Sequence, residues 1–365
     1  MLTIGASVAN VSPSANAQTA AQPKLGFAAK KPVFGGACPM CPWGNLGTVL
    51  KEAMKDTEWD IQLCRVCAGG PRSVRMVVGK QIPPINPEST TQPNPPQAPL
   101  DFGSTGSERL WWAYEGMLTH SEEEDGGPHR ELRLIAHIEQ PSFFMVAVRK
   151  GSGITDLRQI RENRMAVKFM QSGIQSEGAN INRLLDYYNL SEQVIEEELG
   201  GEYVGTSPEN RESPDVVAGW VSLVTAPEYN YWMDVAHNND FEFLELPRVF
   251  MDEWARLGGY QVIDSPPGLL PGLENRSIPS VAKSGSVIYG RTDMPDDFAY
   301  AAAKALDENQ HLLQWTHMNW FYNWRTVGKL FTVPLHPGAE KYYREVGYIQ
   351  SPASSNWDGI ESGAP

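Results

Sequence analysis

Apolar positions recur along the chain in two alternating rhythms. Pro32 to Gly36 reads as a short strand running into a Gly-rich loop, and Leu46, Val49, Leu50 and Ala53 follow at the spacing of one helix face. Trp59 to Cys67 alternates as a strand, Gly69-Gly70-Pro71 punctuates it, and Ser73 to Val78 fits a further short helix. This βαβ rhythm predicts a parallel sheet. From Lys80 to Pro99 the chain turns to Pro, Asn, Gln, Ser and Thr, too poor in apolar groups to join a core, and an exposed, mobile insertion is expected. Structure resumes at Leu100-Asp101-Phe102-Gly103. Leu110, Trp111, Tyr114, Met117 and Leu118 mark a helix from near Ser107, which the acidic stretch Glu122 to Gly127 ends.

A second series begins with the apolar run Ser142 to Arg149, a buried-strand pattern, followed by a helix over Asp156 to Arg164 and a strand over Met165 to Phe169. Ser172-Gly173-Ile174-Gln175 has the S-x-x-Q form of a capping box and is expected to open a helix carrying Ile181, Leu184, Leu185 and Tyr188. Asp215 to Val221, Phe241 to Leu246 and Ser286 to Arg291 read as strands. Pro295 to Leu313 and Pro337 to Val346 read as helices with Pro near the first turn, where its missing N–H costs nothing.

Length and charge narrow the function. The 365 residues exceed one ordinary core and suit two lobes. A formal net charge of -14 repels phosphate backbones and anionic lipid, which disfavours nucleic-acid binding and peripheral membrane attachment, and no apolar run is long enough for a membrane span. Ser14-Ala15-Asn16-Ala17 before Gln18 fits the small-residue cleavage pattern of an export signal, so residues 1–23 are expected to be a signal remnant or disordered tail. Phosphate-loop, HExxH and GxSxG patterns are missing from the sequence, so no catalysis and no cofactor are expected.

In open parallel α/β sheets ligands sit outside the carboxyl ends of the strands, which names the candidate loops. Ser172, Gly173, Ile174 and Gln175 offer a helix N-terminus suited to a carboxylate. Cys38 and Trp43 lie in the first Gly-rich loop, Ser104 and Ser107 in a strand-to-helix loop where capping and ligand contact are both open, and Trp220 ends a strand where it would stack on the ligand or pack in the core. Trp315, Trp320 and Trp324 are read as core or lobe interface.

In matching order over about Gly35 to Ile349, the chain resembles the TAXI family, the TRAP-associated extracytoplasmic immunogenic proteins. The resemblance rests on Gly35-Gly36, on Ala68-Gly69-Gly70 followed by Val74, on Asp101-Phe102-Gly103, on MVAVRKGSGITDLRQIRENRMAVK (145–168), and above all on Pro334-Leu335-His336-Pro337-Gly338-Ala339-Glu340-Lys341-Tyr342-Tyr343-Arg344-Glu345. It implies a two-lobe type II periplasmic-binding-protein fold, each lobe a mainly parallel sheet flanked by helices. The implied lobes are 24–145, bearing the 80–99 insertion, and 146–285, with 286–365 returning through the hinge toward lobe 1. It further implies a periplasmic monomer that captures an amino acid, dicarboxylate or aromatic acid for the membrane subunits of a TRAP transporter. Gln171, Ile174 and Gln175 depart from the family's small residues and Thr.

Cys38-x-x-Cys41 and Cys64-x-x-Cys67, 22 residues apart, are not part of that resemblance. Their spacing alone suggests a four-thiolate zinc site. With both pairs at neighbouring strand ends in an oxidising compartment, two disulfides linking one loop to the other are expected instead. A metal or thiol-redox protein using these cysteines is therefore the rival reading. A ligand-sensing partner of a membrane receptor is another.

Overall fold

The computed structural model describes residues 25–36, 42–65, 67, 70–79, 100–172, 178–222, 226–316 and 320–349. Its strands are β1 (Val33–Gly35), β2 (Gln62–Leu63), β3 (Phe102–Gly106), β4 (Leu132–Arg149), β5 (Lys168–Ser172), β6 (Glu202–Val204), β7 (Val216–Ser222), β8 (Phe241–Phe243), β9 (Gln261–Asp264) and β10 (Pro279–Arg291). They join in the order β2-β1-β3-β10-β4-β7-β5-β6, with β8 added to β4 and β9 to β10. β1 pairs in parallel with β2 and β3, and β5 with β6 and β7, as the βαβ rhythm predicts. The long strands β4 and β10 run antiparallel to each other and to their neighbours. This is the two-lobe α/β architecture implied by the sequence: lobe 1 holds β1 to β3, lobe 2 holds β5 to β9, and β4 and β10 pass through both.

β4 shows why the crossing works. In its second half Phe143, Met145 and Ala147 face one core cluster while Phe144, Val146 and Val148 face another, which accounts for the unbroken apolar run. The strand begins at Leu132 rather than at Ser142: His137 and Glu139 break the apolar pattern, yet the His137 backbone N–H bonds the Val327 carbonyl and the Glu139 carboxylate finds distant partners. Glu139 accepts from Asn323 Nδ2 at 2.9 Å and Thr326 Oγ1 at 2.5 Å. β10 likewise begins at Pro279 rather than Ser286. The register between the two strands shifts at Lys283/Gly285. Gly285 has φ +152°, and a Cβ there would lie 2.2 Å from the Ile138 carbonyl oxygen, so no side chain fits at the crossing.

Helices cover both faces. Pro42–Ala53 turns Leu46, Val49 and Leu50 into the core it shares with Asp296–Glu308. The helix expected over Pro295 to Leu313 stops at Glu308, where Asn309 Nδ2 bonds back to the Ala305 carbonyl, and resumes as His311–Gln314. The sequence reading missed the helix Arg248–Gly258, although Phe250, Met251, Trp254 and Ala255 mark its buried face. Trp320 is buried as expected, but Trp315 and Trp324 are exposed.

The segment that carries most of the family resemblance is a clasp on β4. Leu134 N–H donates to the Pro334 carbonyl and His336 N–H to that of Leu134, while Tyr343 OH reaches the Ile135 carbonyl at 3.0 Å. His336 Nδ1 accepts from Gly338 N–H and caps the helix Pro337–Glu345. Gly338 allows this helix to pass so close to Asp296 that a Cβ would lie 2.0 Å from its carbonyl oxygen.

Candidate functional site

The carboxyl ends of β1 and β3 and the turn after β2 meet on lobe 1. Gly36 closes β1 at φ +84°, with its missing Cβ 2.8 Å from the Ser104 carbonyl, so only glycine lets the loop leave here. Two turns of sequence later Trp43 enters the first turn of its helix, and the Arg109 guanidinium lies 5.3 Å from its ring centre. Gly70, at φ +67°, sits under that guanidinium, where a Cβ would approach Arg109 Nη1 to 3.2 Å.

A hydrogen-bond chain ties these ends together. Ser73 Oγ donates to the Ser104 carbonyl at 3.3 Å and accepts from Tyr289 OH at 2.8 Å, all buried. Burial pushes the Tyr289 phenol well above its ordinary range, so it stays a neutral donor. Asp101 accepts from Val33 N–H at 2.7 Å, and burial raises its carboxyl above the usual value. Ser107 Oγ lies 2.7 Å from Ser284 Oγ on β10, linking the loop to the crossing strand. Gly106, not Ser107, is the N-cap of the helix Ser107–Glu115. The capping role considered for Ser107 is therefore replaced by a tie to the crossing strand.

Glu108 folds back over that N-terminus. A Cβ on Gly106 would lie 2.8 Å from either Glu108 carboxylate oxygen, and Glu108 pairs with Arg109 at 3.9 Å, both buried. The helix positive end and one cation are thus already partly balanced. Against this frame, four buried polar atoms have no hydrogen-bond partner: Trp43 Nε1, Arg72 Nη1, Ser104 Oγ and Thr105 Oγ1. Ser104 and Thr105 are consecutive in β3 and face opposite sides of the sheet, so of these Trp43, Arg72 and Ser104 are the candidates to meet an incoming acceptor, because buried donors without acceptors are costly. Arg72 and Arg109 went unnoticed in the sequence, although a charged residue in the first turn after each Gly-containing loop was a usable signal.

On lobe 2 the picture is partial. Ser172 is the last residue of β5, paired with Gly219, and the described helix runs Gly178–Tyr187, so the residues that a cap at Ser172 would serve lie outside the described residues. Gly173, Ile174 and Gln175 lie outside the described residues, as do Cys38 and the 80–99 segment. Trp220 is only 2% exposed, packed edge-on to Phe144 with ring centres 5.4 Å apart, and Lys283 Nζ stands 4.3 Å from its ring centre. It is a core residue capped by a cation, not an open stacking platform.

The cysteine expectation needs correction. Cys64 and Cys67 are bonded to each other, with Cα atoms 5.4 Å apart across a tight turn in which Cys67 N–H donates to the Cys64 carbonyl. A turn of this size already holds the two side chains at bridging distance, before any sulfur of another loop is reached. Neither sulfur is thus available to a cross-loop bridge or to a four-thiolate zinc site, and Cys41, like Cys38, lies outside the described residues. Among the described residues no helix is long and apolar enough to cross a membrane.

The NMT1-like family model matches residues 100–347. Similar solved structures include the periplasmic aliphatic sulphonate binding protein SsuA from Escherichia coli, at 13% identity over 86% of this chain and 78% of that one, with TM-score 0.37. A glycine/betaine/L-proline-binding protein (ProX) from Borrelia burgdorferi is 11% identical over 78% and 95%, with TM-score 0.38. XAC2383 from Xanthomonas citri, bound to chloride ion, is 12% identical over 87% and 96%, with TM-score 0.39. Likenesses at this level carry no argument about the ligand.

Proposed function

The chain belongs to the NMT1-like family, and from that premise we propose that it is an exported solute-binding protein which captures a small carboxylate-bearing molecule between its lobes and hands it to a TRAP-type membrane transporter. The observation that carries this reading is that Trp43 Nε1 and Arg72 Nη1, on the helices that follow β1 and β2, are buried donors without a hydrogen-bond partner, as is Ser104 Oγ on β3. A carboxylate supplies the acceptors these groups lack, while Arg109, 5.3 Å from the Trp43 ring centre, is already paired with Glu108 and frames the place rather than adding free charge. A second lobe, joined through β4 and β10 alone among the described strands, closes on the ligand from the other side.

The protein acts as a monomer and performs no chemistry in this reading. The choice of a TRAP partner rests on the motif resemblance, since family membership does not distinguish transporter types. A thermal-shift screen over amino acids, dicarboxylates, aromatic acids and alkyl sulfonates tests the reading, because a ligand at 100 times its Kd stabilises the folded state by about 2.7 kcal/mol. A carboxylate should raise the melting temperature. If only uncharged or cationic solutes do so, the anion reading fails.

A further inference from the structure

We propose that His120, Asp125 and His129 form a binding site for a divalent cation of zinc type, on the connector between the helix Ser107–Glu115 and β4. The three side chains are 0%, 2% and 5% exposed, and their donor atoms all lie within 4.8 Å of one another. His120 Nδ1 faces Asp125 Oδ2 in a short contact, and His129 Nε2 lies 3.1 Å from Asp125 Oδ1. Tetrahedral metal bonds of about 2.1 Å place donors roughly 3.4 Å apart, so the wider donor separations, up to 4.8 Å, must close while the short His120–Asp125 contact opens to admit a zinc ion.

The donor set selects the cation class. Two imidazole nitrogens and one carboxylate oxygen suit zinc and its transition-metal neighbours, whereas calcium and magnesium take oxygen ligands. The partners that orient metal ligands are also present. Glu131 Oε1 is 3.8 Å from His129 Nδ1, and Arg75 Nε is 3.4 Å from Asp125 Oδ2 while its Nη2 holds the Thr119 carbonyl at 2.7 Å. A ring that ligates the ion carries its one proton on the nitrogen facing away from it. For His129 that nitrogen faces Glu131. For His120 this tautomer gives up the Nδ1–H bond to Asp125 and leaves the proton on Nε2, which has no partner, a cost the metal bonds must offset. The ion would staple the entry to β4, remote in sequence from the cysteine pairs and independent of the solute site.

The test uses the full chain, stripped with a chelator and titrated with Co(II), then with Zn(II). One equivalent of Co(II) should give d–d absorption without a thiolate charge-transfer band, zinc should displace it, and zinc should raise the melting temperature. His129→Ala should weaken cobalt binding by at least about tenfold, and Cys64→Ser/Cys67→Ser should leave it unchanged. Should His129→Ala fail to fold, His129→Gln replaces it and must show the same loss. No cobalt spectrum in the wild type, a spectrum dominated by thiolate charge transfer, or binding that survives loss of the His129 imidazole would overturn the proposal.

Discussion

The indole Nε1 of Trp112 donates a 2.9 Å hydrogen bond to the carbonyl oxygen of Gly258, with both residues buried. Trp112 comes from the helix Ser107–Glu115 beside the candidate site, and Gly258 ends the helix Arg248–Gly258 of lobe 2, so the bond joins the lobes. The same ring meets Tyr260 edge-on at 6.4 Å. Trp112→Phe keeps most of the packing and leaves the Gly258 carbonyl unsatisfied, which should lower stability by about 1–3 kcal/mol and shift the unliganded protein toward an open form. Denaturant unfolding and small-angle scattering read the two effects. An unchanged midpoint and radius of gyration would show that the latch is idle.

Glu108 and Arg109 form a buried pair, so removing only the cation leaves an uncompensated charge. Arg109→Gln should cost about 3–5 kcal/mol, and the double variant Glu108→Gln/Arg109→Gln should recover most of that loss. A double-mutant cycle by urea unfolding measures the coupling. Additive losses would mean that the 3.9 Å pair is not an energetic unit.

His137 lies on β4 at the crossing, 5% exposed, with neither ring nitrogen hydrogen-bonded. Desolvation lowers its pKa from 6.5 to about 4, outweighing the charge of Glu139 and the nearby backbone of Thr326, Lys329 and Ser284. Between those values the unfolded chain binds a proton that the folded chain does not. Stability is therefore full above about pH 6.5 and falls as the pH drops toward 4, by about 3 kcal/mol from this residue. His137→Gln should flatten that part of the profile, as followed by unfolding midpoints at successive pH values. An identical slope in the variant would place the proton uptake elsewhere, with His120, whose pKa burial also lowers to about 4, the next to test.

The Cys64–Cys67 bridge closes a very short loop, so its entropic contribution is small. Cys64→Ser/Cys67→Ser should lower stability by about 2 kcal/mol, less than a bridge between the two cysteine loops would. Peptide mapping of unreduced protein should recover these two cysteines joined to each other. A peptide linking either to Cys38 or Cys41 would restore the cross-loop pairing.

Local patterning made β1, β2, β7 and the helix Pro42–Ala53 legible, because each turns one apolar face to a core that its own spacing reveals, whereas β5 lies at Lys168–Ser172 rather than Met165 to Phe169 and the short, half-exposed β6 went unread. Pro337 likewise announced the last helix. The early half of β4 was hidden because His137 and Glu139 are accommodated by the 321–327 segment, which no local window includes. Ser107 was recognised as a site candidate, but its partner Ser284 is 177 residues away, and no local spacing connects them. The Cys64–Cys67 pairing was misjudged for the opposite reason: attention to long-range convergence of four sulfurs overlooked the turn that brings two of them together within one loop.

The central claim is that lobe 1 binds an anionic solute through the donors around Arg72 and Trp43. Isothermal titration of the wild type with the carboxylate that gives the largest thermal shift tests it most directly, in parallel with Arg72→Gln. The account predicts one site per chain in the wild type and at least about tenfold weaker binding in Arg72→Gln, with little change in unliganded stability. Equal affinity in the two proteins, or no carboxylate that binds the wild type, would contradict it.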